Sequence, residues 1–371
     1  MTTDGVFDLP FDEAVSFFRR KVNIPTARWT DLWRGEHAMG FMSAGAYQAD
    51  LLTDLRSAVD QAVAGGLSKV EFRQRFREIV DRHGWQYNGG RNWRSDLIWG
   101  TNIETSYQAG RWRQFVEAGI KALRYHHADG VMHPRPLHVS WDGLVLPIGH
   151  PFWATHYPPN GWMCHCRAFA ADGDGNGNTP PRGWDEIDPK TGAQVGIDKG
   201  WNYNVGAAAE QGYRVLAGKF ERLPNDIARR WISEVVAGPA FELFVGGGIS
   251  TDFPVAVLRP EDQAVIGARR QTVWMSAETM AKNRGELPTR SAGHPELTID
   301  DYRLIPEIVD QGEVYQAGEE RLIYLRRGDR TYRAALKRTA DGSDNYFLSL
   351  FRPSDADRAM RLVGAKYERI R

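Results

Sequence analysis

The sequence predicts an α+β protein of more than one domain: a mainly helical N-terminal domain with a loop-rich His/Cys lobe, and a C-terminal α+β domain with a small antiparallel sheet. Three observations predict this. A chain of 371 residues is longer than one hydrophobic core usually organises. The first 120 residues repeat their apolar positions at helical spacing. From about residue 250 the pattern changes to short strand-like runs separated by Gly- and Asp-containing turns.

The composition narrows the possibilities further. Hydrophobic residues make up 42% and charged residues 25%, an ordinary balance for a soluble globular chain. The formal net charge is zero, so contact with nucleic acid has to come from local patches rather than overall attraction. No apolar run approaches the roughly 20 residues that span a bilayer, so no membrane partner is expected. The opening MTTDGVFDLPFDEAV lacks a basic stretch followed by an apolar core, and Sec-type export is not expected. Cys164 and Cys166, the two cysteines, are one residue apart, poorly placed for a mutual disulfide, and a reducing compartment is expected.

In chain order, residues 11–22 read as a short amphipathic helix with Phe11, Val15 and Phe18 on one face, ended by Pro25. Residues 27–64 read as one or two helices with Leu51, Leu55 and Val59 in a stripe, stopped at Gly65-Gly66. Ser68 followed by Glu71 is a capping-box signature for a helix over 69–83, closed by Gly84. A third long helix runs from Arg91 to Ala118 and ends at Gly119. The aromatic residues of these helices read as core.

Residues 126–169 hold seven of the ten histidines, both cysteines and Trp141, Trp153 and Trp162, within a proline-glycine framework too irregular for a long helix. Zinc favours four tetrahedral nitrogen and sulfur ligands. His133 and His138 on one limb, with Cys164 and Cys166 on the other, have suitable spacing, and His126, His127, His156 and His165 compete for the same role. The alternative is that the histidines bond to loop carbonyls and the cysteines are simply buried. Four protein ligands would make the metal structural rather than catalytic. A zinc hydrolase lacks support, since no His-Glu-x-x-His pattern is present.

Beyond it, ADGDGNGNTPPRG reads as a linker, residues 184–204 as turn-rich, 224–244 as helix and Gly246-Gly247-Gly248 as a hinge. FPVAVL (253–258) and TVWMS (272–276) read as strands, and Leu297 to Val309 as a helix interrupted near Pro306. Residues 321–327, 331–338 and 345–351 read as a three-stranded antiparallel meander. The expected domains are therefore 1–170, a linker and helical connector over 171–248, and 249–371.

At this point the residues carry a resemblance. W-D-G at 141–143, P-F-W at 151–153 and H-Y-P-P-N-G-W-M-C-H-C-R at 156–167 resemble the phage Mu F-like head morphogenesis family. T-N-I-E-T-S-Y-Q-A-G-R at 101–111 and F-D-E-A-V-S-F-F-R-R-K-V at 11–22 extend the likeness over roughly residues 8–170. The resemblance implies a minor virion protein acting in procapsid assembly near the portal. Its partners would be portal or procapsid proteins and phage DNA, and its locations the bacterial host cytoplasm and the virion.

T-V-W-M-S-A-E-T-M-A-K at 272–282, H-P-E-L-T-I-D-D-Y at 294–302, and the meander with A-L-K at 335–337 and F-L-S-L-F-R at 347–352 give residues 249–371 a resemblance to a phage-associated nuclease-like domain of the barnase/EndoU/RelE-like group. Such folds cleave RNA without a metal cofactor. Carried over by position, His294 matches the family's histidine, Lys337 the basic strand residue and Ser349 the hydroxyl. As the only histidine of this module, His294 would need Lys282 or Tyr346 to share the work. Seven basic residues between Arg321 and Arg338 face a single acid, Asp329, and Arg326, Arg327, Arg333 and Arg338 are the expected RNA contacts. The alternatives are a solvated edge hairpin kept soluble by its arginines and, for the chain as a whole, a phage- or prophage-encoded toxin or effector acting as a ribonuclease.

Overall fold

The computed structural model describes residues 11–128, 132–287, 294, 296–326 and 328–371. The chain divides into two compact units, one ending at Gln211 and one beginning at Gly212, so the sequence boundaries at 170 and 248 fall inside them.

The first unit opens with the helix Asp12–Arg19, which buries Val15, Phe17 and Phe18. Three longer helices follow, Ala49–Val63, Lys69–His83 and Arg91–Glu117. The expected capping box is present: Ser68 Oγ accepts the Glu71 N–H, and Glu71 Oε2 accepts the Ser68 N–H at 2.8 Å. Gly84 closes that helix in the left-handed region, with φ 58°. Leu51, Leu55, Val59, Phe72, Phe76 and Ile98 form the shared core, as their spacing predicts. Arg73 clamps Asp96 through two bonds of 2.7 and 2.6 Å, tying the second of these helices to the third.

Residues 27–48 differ from the expected helix. They contain a single 3₁₀ turn (Trp29–Asp31), the four-residue helix Glu36–Met39, and a two-residue parallel pairing of Val22–Asn23 with Gly40–Phe41. The reason is local competition. The Asp31 carboxylate accepts the N–H groups of Ala27 and Arg28 at 2.8 and 2.9 Å, taking backbone donors away from a helical ladder. Gly40 also lets the chain pass close to Leu32 and Ile24, where a Cβ would approach both side chains within 2.6 Å. Beside this segment Lys21 is buried, its ammonium 2.7 Å from the His37 carbonyl and over the Phe17 ring.

The lobe is more regular than its sequence suggests. A three-stranded antiparallel sheet, in the order Val145–Pro147, Ala122–His126, Arg167–Ala171, frames it. Strands of three to five residues are too short for alternation to be read. Short helices Pro136–Ser140 and Phe152–His156 lie between them. Tyr125, Trp141, Phe152, Trp153, Cys164 and Cys166 form one core, which Ala193, Ile197, Trp201 and Val205 from beyond the glycine-rich stretch complete. Tyr157 O–H donates to the Gln108 carbonyl at 2.9 Å, fixing this core to the long helix.

The second unit corrects the expectation of a small antiparallel sheet. Its sheet has seven strands, in the order Glu368–Arg369, Glu313–Gln316, Arg321–Arg326, Tyr332–Arg338, Asn345–Phe351, Thr272–Met275, Phe253–Val257. The expected meander lies at its centre, antiparallel throughout. Asn345–Phe351 pairs in parallel with Thr272–Met275, and this makes the sheet mixed. A parallel pairing needs a long crossover and leaves no turn signal in the sequence. Arg321–Arg326 and Tyr332–Arg338 are thus interior strands, and the edge-hairpin alternative fails.

Phe253–Val257 is buried at all five positions, covered by helices Asn225–Ala237 and Ile305–Gln311. The helix expected over 224–244 breaks at Gly238-Pro239, because proline cannot donate to the preceding turn. The helix expected over 297–309 is interrupted as anticipated, into Ile299–Arg303 and Ile305–Gln311. A C-terminal helix, Ala356–Lys366, was not anticipated; its Val363 packs on Tyr315, Ile323 and Leu325 of the sheet. Among the described residues no helix is long and apolar enough to cross a membrane.

Candidate metal centre

The lobe places both cysteines beside two histidines. After the left-handed residue Met163 (φ 57°) and a turn in which Cys164 N–H bonds to the Gly161 carbonyl at 3.2 Å, the chain extends through Cys166 into the strand Arg167–Ala171. Alternate residues of an extended chain share a side, so both sulfurs point into the lobe core, where both residues are buried. His138 comes from the helix Pro136–Ser140 and stacks on Trp141 with ring centres 5.0 Å apart. Its Nδ1 lies 3.7 Å from Cys164 Sγ and 3.6 Å from Cys166 Sγ. The ligand atoms of His138, Cys164 and Cys166 all lie within 4.8 Å of one another, a group that could hold a metal.

The surroundings define the state of these groups. His138 Nε2 is 2.9 Å from the Gly196 carbonyl. A carbonyl can only accept, so Nε2 carries a proton and Nδ1 is the ring atom turned to the sulfurs. The two thiols titrate as a pair. The Cys164 thiol, donating to Cys166 and buried, is pushed well above its ordinary value, and the same hydrogen bond pulls Cys166 below its own. Tyr125, whose O–H donates to Asn160 Oδ1 at 2.8 Å, is held protonated by burial next to these sulfurs.

Of the four expected ligands, three are brought together and His133 is not among them; it lies exposed on the surface. His127 instead places its Nδ1 3.4 Å from Cys166 Sγ. Strand register explains this. His126 pairs with Arg167 across the sheet, so one step further along the same antiparallel ladder His127 stands opposite Cys166. The other histidines are engaged elsewhere. His126 faces Asp142 at 3.4 Å. His165 pairs with Glu104 at 3.0 Å, which raises its pKa. His156 stacks on Phe152, bonds Thr155 through Nδ1, and is pushed down to about 3 by burial.

In the second unit, His294 Nδ1 lies 3.1 Å from Glu296 and its ring 6.3 Å from Phe351. Ser349 stands opposite Ala335, and Lys337 opposite Tyr346. Ala335 and Lys337 alternate onto one face of the sheet, so Ser349 and Lys337 share that face. Lys337 is paired with Glu320 at 3.3 Å. Arg326 is paired with Glu307. Arg338 bonds the carbonyls of Ile266, Thr339 and Ala340. Arg333 stands opposite Phe351 in the register, and Arg327 lies outside the described residues. Tyr346 O–H donates to Asp252 at 3.2 Å and accepts from Arg214. The cationic character expected of this hairpin is therefore largely met by carboxylates and carbonyls from elsewhere in the unit.

Comparison with known proteins bears on the first unit. Residues 53–169 match the protein family described as "Phage Mu protein F like protein". The chain is 33% identical over 178 residues to the "Putative capsid assembly protein F" of Escherichia phage Mu, covering 44% of this chain and 40% of that protein. It is 29% identical over 224 residues to the "Mu-like prophage FluMu F protein" of Haemophilus influenzae, covering 50% of this chain and 53% of that protein. The chain thus spans about half the length of these relatives or less. No solved structure matches it. The matched segment runs from the helix Ala49–Val63 through the long helix to Cys164, Cys166 and the strand that follows them. Over residues 53–169 the chain is similar to the proteins described as "Phage Mu protein F like protein".

Proposed function

We propose that this chain acts in phage head morphogenesis, as a minor virion protein joining the procapsid near the portal. Portal or procapsid proteins are its partners and phage DNA a further contact. It works in the bacterial host cytoplasm and is retained in the virion. The observation that carries the reading is the homology over residues 53–169 to a family whose phage Mu relative is named for capsid assembly. In this reading one structural zinc holds the lobe, because two thiolates and imidazole nitrogen make a closed, soft donor set. The test is composition of particles: procapsids and virions of the phage encoding this chain contain it in few copies, and the purified protein co-sediments with portal oligomers. Particles that lack it entirely contradict the assembly role.

A second reading is that residues 249–371 form a barnase/EndoU/RelE-like ribonuclease, so that the chain carries a toxin or effector. What favours it is the placement of His294 by Phe351, two residues along the strand from Ser349, on the sheet face that also carries Lys337. An imidazole, a hydroxyl and an ammonium on one face can supply proton transfer and charge stabilisation at a phosphate. The full chain would then cleave RNA in EDTA, and His294→Ala would lower the rate about 10²–10⁴-fold. Absence of cleavage by the unsubstituted chain on transfer and messenger RNA between pH 5 and 8 ends this reading.

A further inference from the structure

We infer that the zinc site of the lobe is completed by His127, not by His133, giving a closed two-sulfur, two-nitrogen centre of His127, His138, Cys164 and Cys166. The assignment rests on the zinc reading above and adds to it the ligand set.

The first argument is a shortage of protons. His138 Nε2 donates to the Gly196 carbonyl, so its Nδ1 has one lone pair to offer. Both sulfurs approach that one lone pair, at 3.7 and 3.6 Å. Cys166 is shared further, with His127 Nδ1 at 3.4 Å. With the Cys164 thiol donating to Cys166, no proton is left between Cys166 and His138 Nδ1, and lone pairs that face one another in a buried site are costly. A cation at the centre satisfies all of these donors together.

The second argument is distance. Zinc–sulfur bonds of about 2.3 Å and zinc–nitrogen bonds of about 2.0–2.1 Å at tetrahedral angles separate a sulfur from a nitrogen ligand by about 3.6 Å. The three sulfur–nitrogen separations in the lobe are 3.4, 3.6 and 3.7 Å. Each matches one sulfur–nitrogen edge of such a tetrahedron, while His127 lies outside the group whose ligand atoms are all within 4.8 Å of one another. The third argument is orientation: a metal-bound imidazole ordinarily donates its other N–H to a carbonyl, as His138 does to Gly196.

The fourth position follows from what can reach it. Among the described residues His127 and His138 are the histidines within hydrogen-bonding range of a sulfur. His156 has a buried Nε2 without a partner, but its Nδ1 bonds Thr155 and its ring stacks on Phe152; His127, also outside the group of three mutually close ligand atoms, has its Nδ1 3.4 Å from Cys166 Sγ. His133 is exposed. His127 is held close by the sheet: its backbone N–H donates to Asp142 Oδ1 at 2.8 Å, and the ladder sets it across from Cys166. Its ring has to move from its present place for Nδ1 to reach the remaining vertex. Two thiolates and two neutral imidazoles then give a site of net zero charge, suited to a buried position and with no place for a reactive water.

The test uses the full chain, purified without chelator, and compares zinc content with the spectrum after exchange to cobalt(II). The unsubstituted protein is expected to hold about one zinc per chain and to show the strong visible bands of tetrahedral cobalt with sulfur ligation. His138→Ala abolishes binding, His127→Ala weakens it at least about tenfold, and His133→Ala leaves affinity and spectrum unchanged. His127→Cys, which keeps a ligand and so guards against simple misfolding, retains the metal and intensifies the sulfur-to-cobalt band. Loss of metal in His133→Ala, or a His127→Cys spectrum identical to the parent, overturns the His127 assignment while the zinc reading stands. Absence of metal in the parent protein overturns both and leaves S–H···N hydrogen bonds as the explanation of the distances.

Discussion

The two units hold their reactive side chains in opposite ways. In the first, the soft groups of the lobe crowd one another: two sulfurs converge on a single imidazole lone pair, with His127 drawn in as well. In the second, several groups with chemical potential are already matched inside the unit: Lys337 by Glu320, Arg326 by Glu307, His294 by Glu296. Crowding of like donors is unfavourable until something binds, whereas matched pairs are a finished structure. The contrast teaches that a run of basic residues in sequence is weak grounds for a site, because its counter-charges can arrive from distant segments. The His/Cys cluster is stronger grounds, because its soft donors face one another.

The contrast can be broken most forcefully at the lobe. Removing the metal with a chelator, or substituting Cys166→Ala, is expected to unfold the lobe and lower the thermal midpoint of the first unit by well over 10 °C. Structural zinc contributes about 10–16 kcal/mol of apparent binding energy in small zinc domains, far above the margin of a typical fold. Calorimetry with and without chelator checks this, and superimposable transitions would remove the difference between the units.

The next effect belongs to the best-matched carboxylate of the second unit. Asp301 is buried, accepts the Tyr332 O–H at 2.5 Å and the Thr298 N–H at 2.7 Å, and pairs with Arg330 at 3.3 Å. Its pKa is held down against the opposing effect of burial, chiefly by the Tyr332 and Thr298 hydrogen bonds. A depressed carboxylate contributes stability present above its unfolded pKa and lost as pH falls through the folded one. Asp301→Ala should cost about 3 kcal/mol at neutral pH, measurable by urea unfolding, and the difference from the parent should shrink in acid below about pH 4.

How much of this could be read from sequence varied with the range of the interaction. The Ser68–Glu71 box, the long helix ending at Gly119 and the central meander were readable because each is specified by residues within a few positions of one another. The parallel pairing of Asn345 with Val273 was not, since no local signal marks a partner so far away in the chain. The same division runs through the candidate site. Cys-x-Cys and the histidine-rich stretch marked the centre, but choosing His127 over His133 needed the register of Ala122–His126 with Arg167–Ala171. The signal was present in a weak form: His127 directly follows one strand and Cys166 directly precedes its partner.

A third effect, smaller again, concerns a buried amine with no carboxylate paired to it among the described residues. Burial lowers Lys21 to about 7, with Arg56 adding repulsion. The unfolded chain therefore binds the extra proton between about pH 7 and 10.5, and stability rises with pH across that window. Lys21→Met should remove the rise, stabilising the first unit more at pH 6 than at pH 9 by about 2–3 kcal/mol. An identical effect of the substitution at both pH values would mean that the amine stays charged in the fold.

The smallest effect sharpens the other side of the contrast. Lys337 is nearly half exposed and its pair with Glu320 is open to solvent. Lys337→Ala should change stability by less than about 1 kcal/mol, as exposed ion pairs usually do. A larger loss would show that the charges of the central strands hold the sheet together rather than decorate it.

X-ray absorption at the zinc edge, on the full chain purified without chelator, tests the central claim most directly. The lobe predicts two sulfur neighbours at about 2.3 Å and two nitrogen neighbours at about 2.0 Å. A protein without zinc, or a zinc shell of nitrogen and oxygen alone, would contradict it.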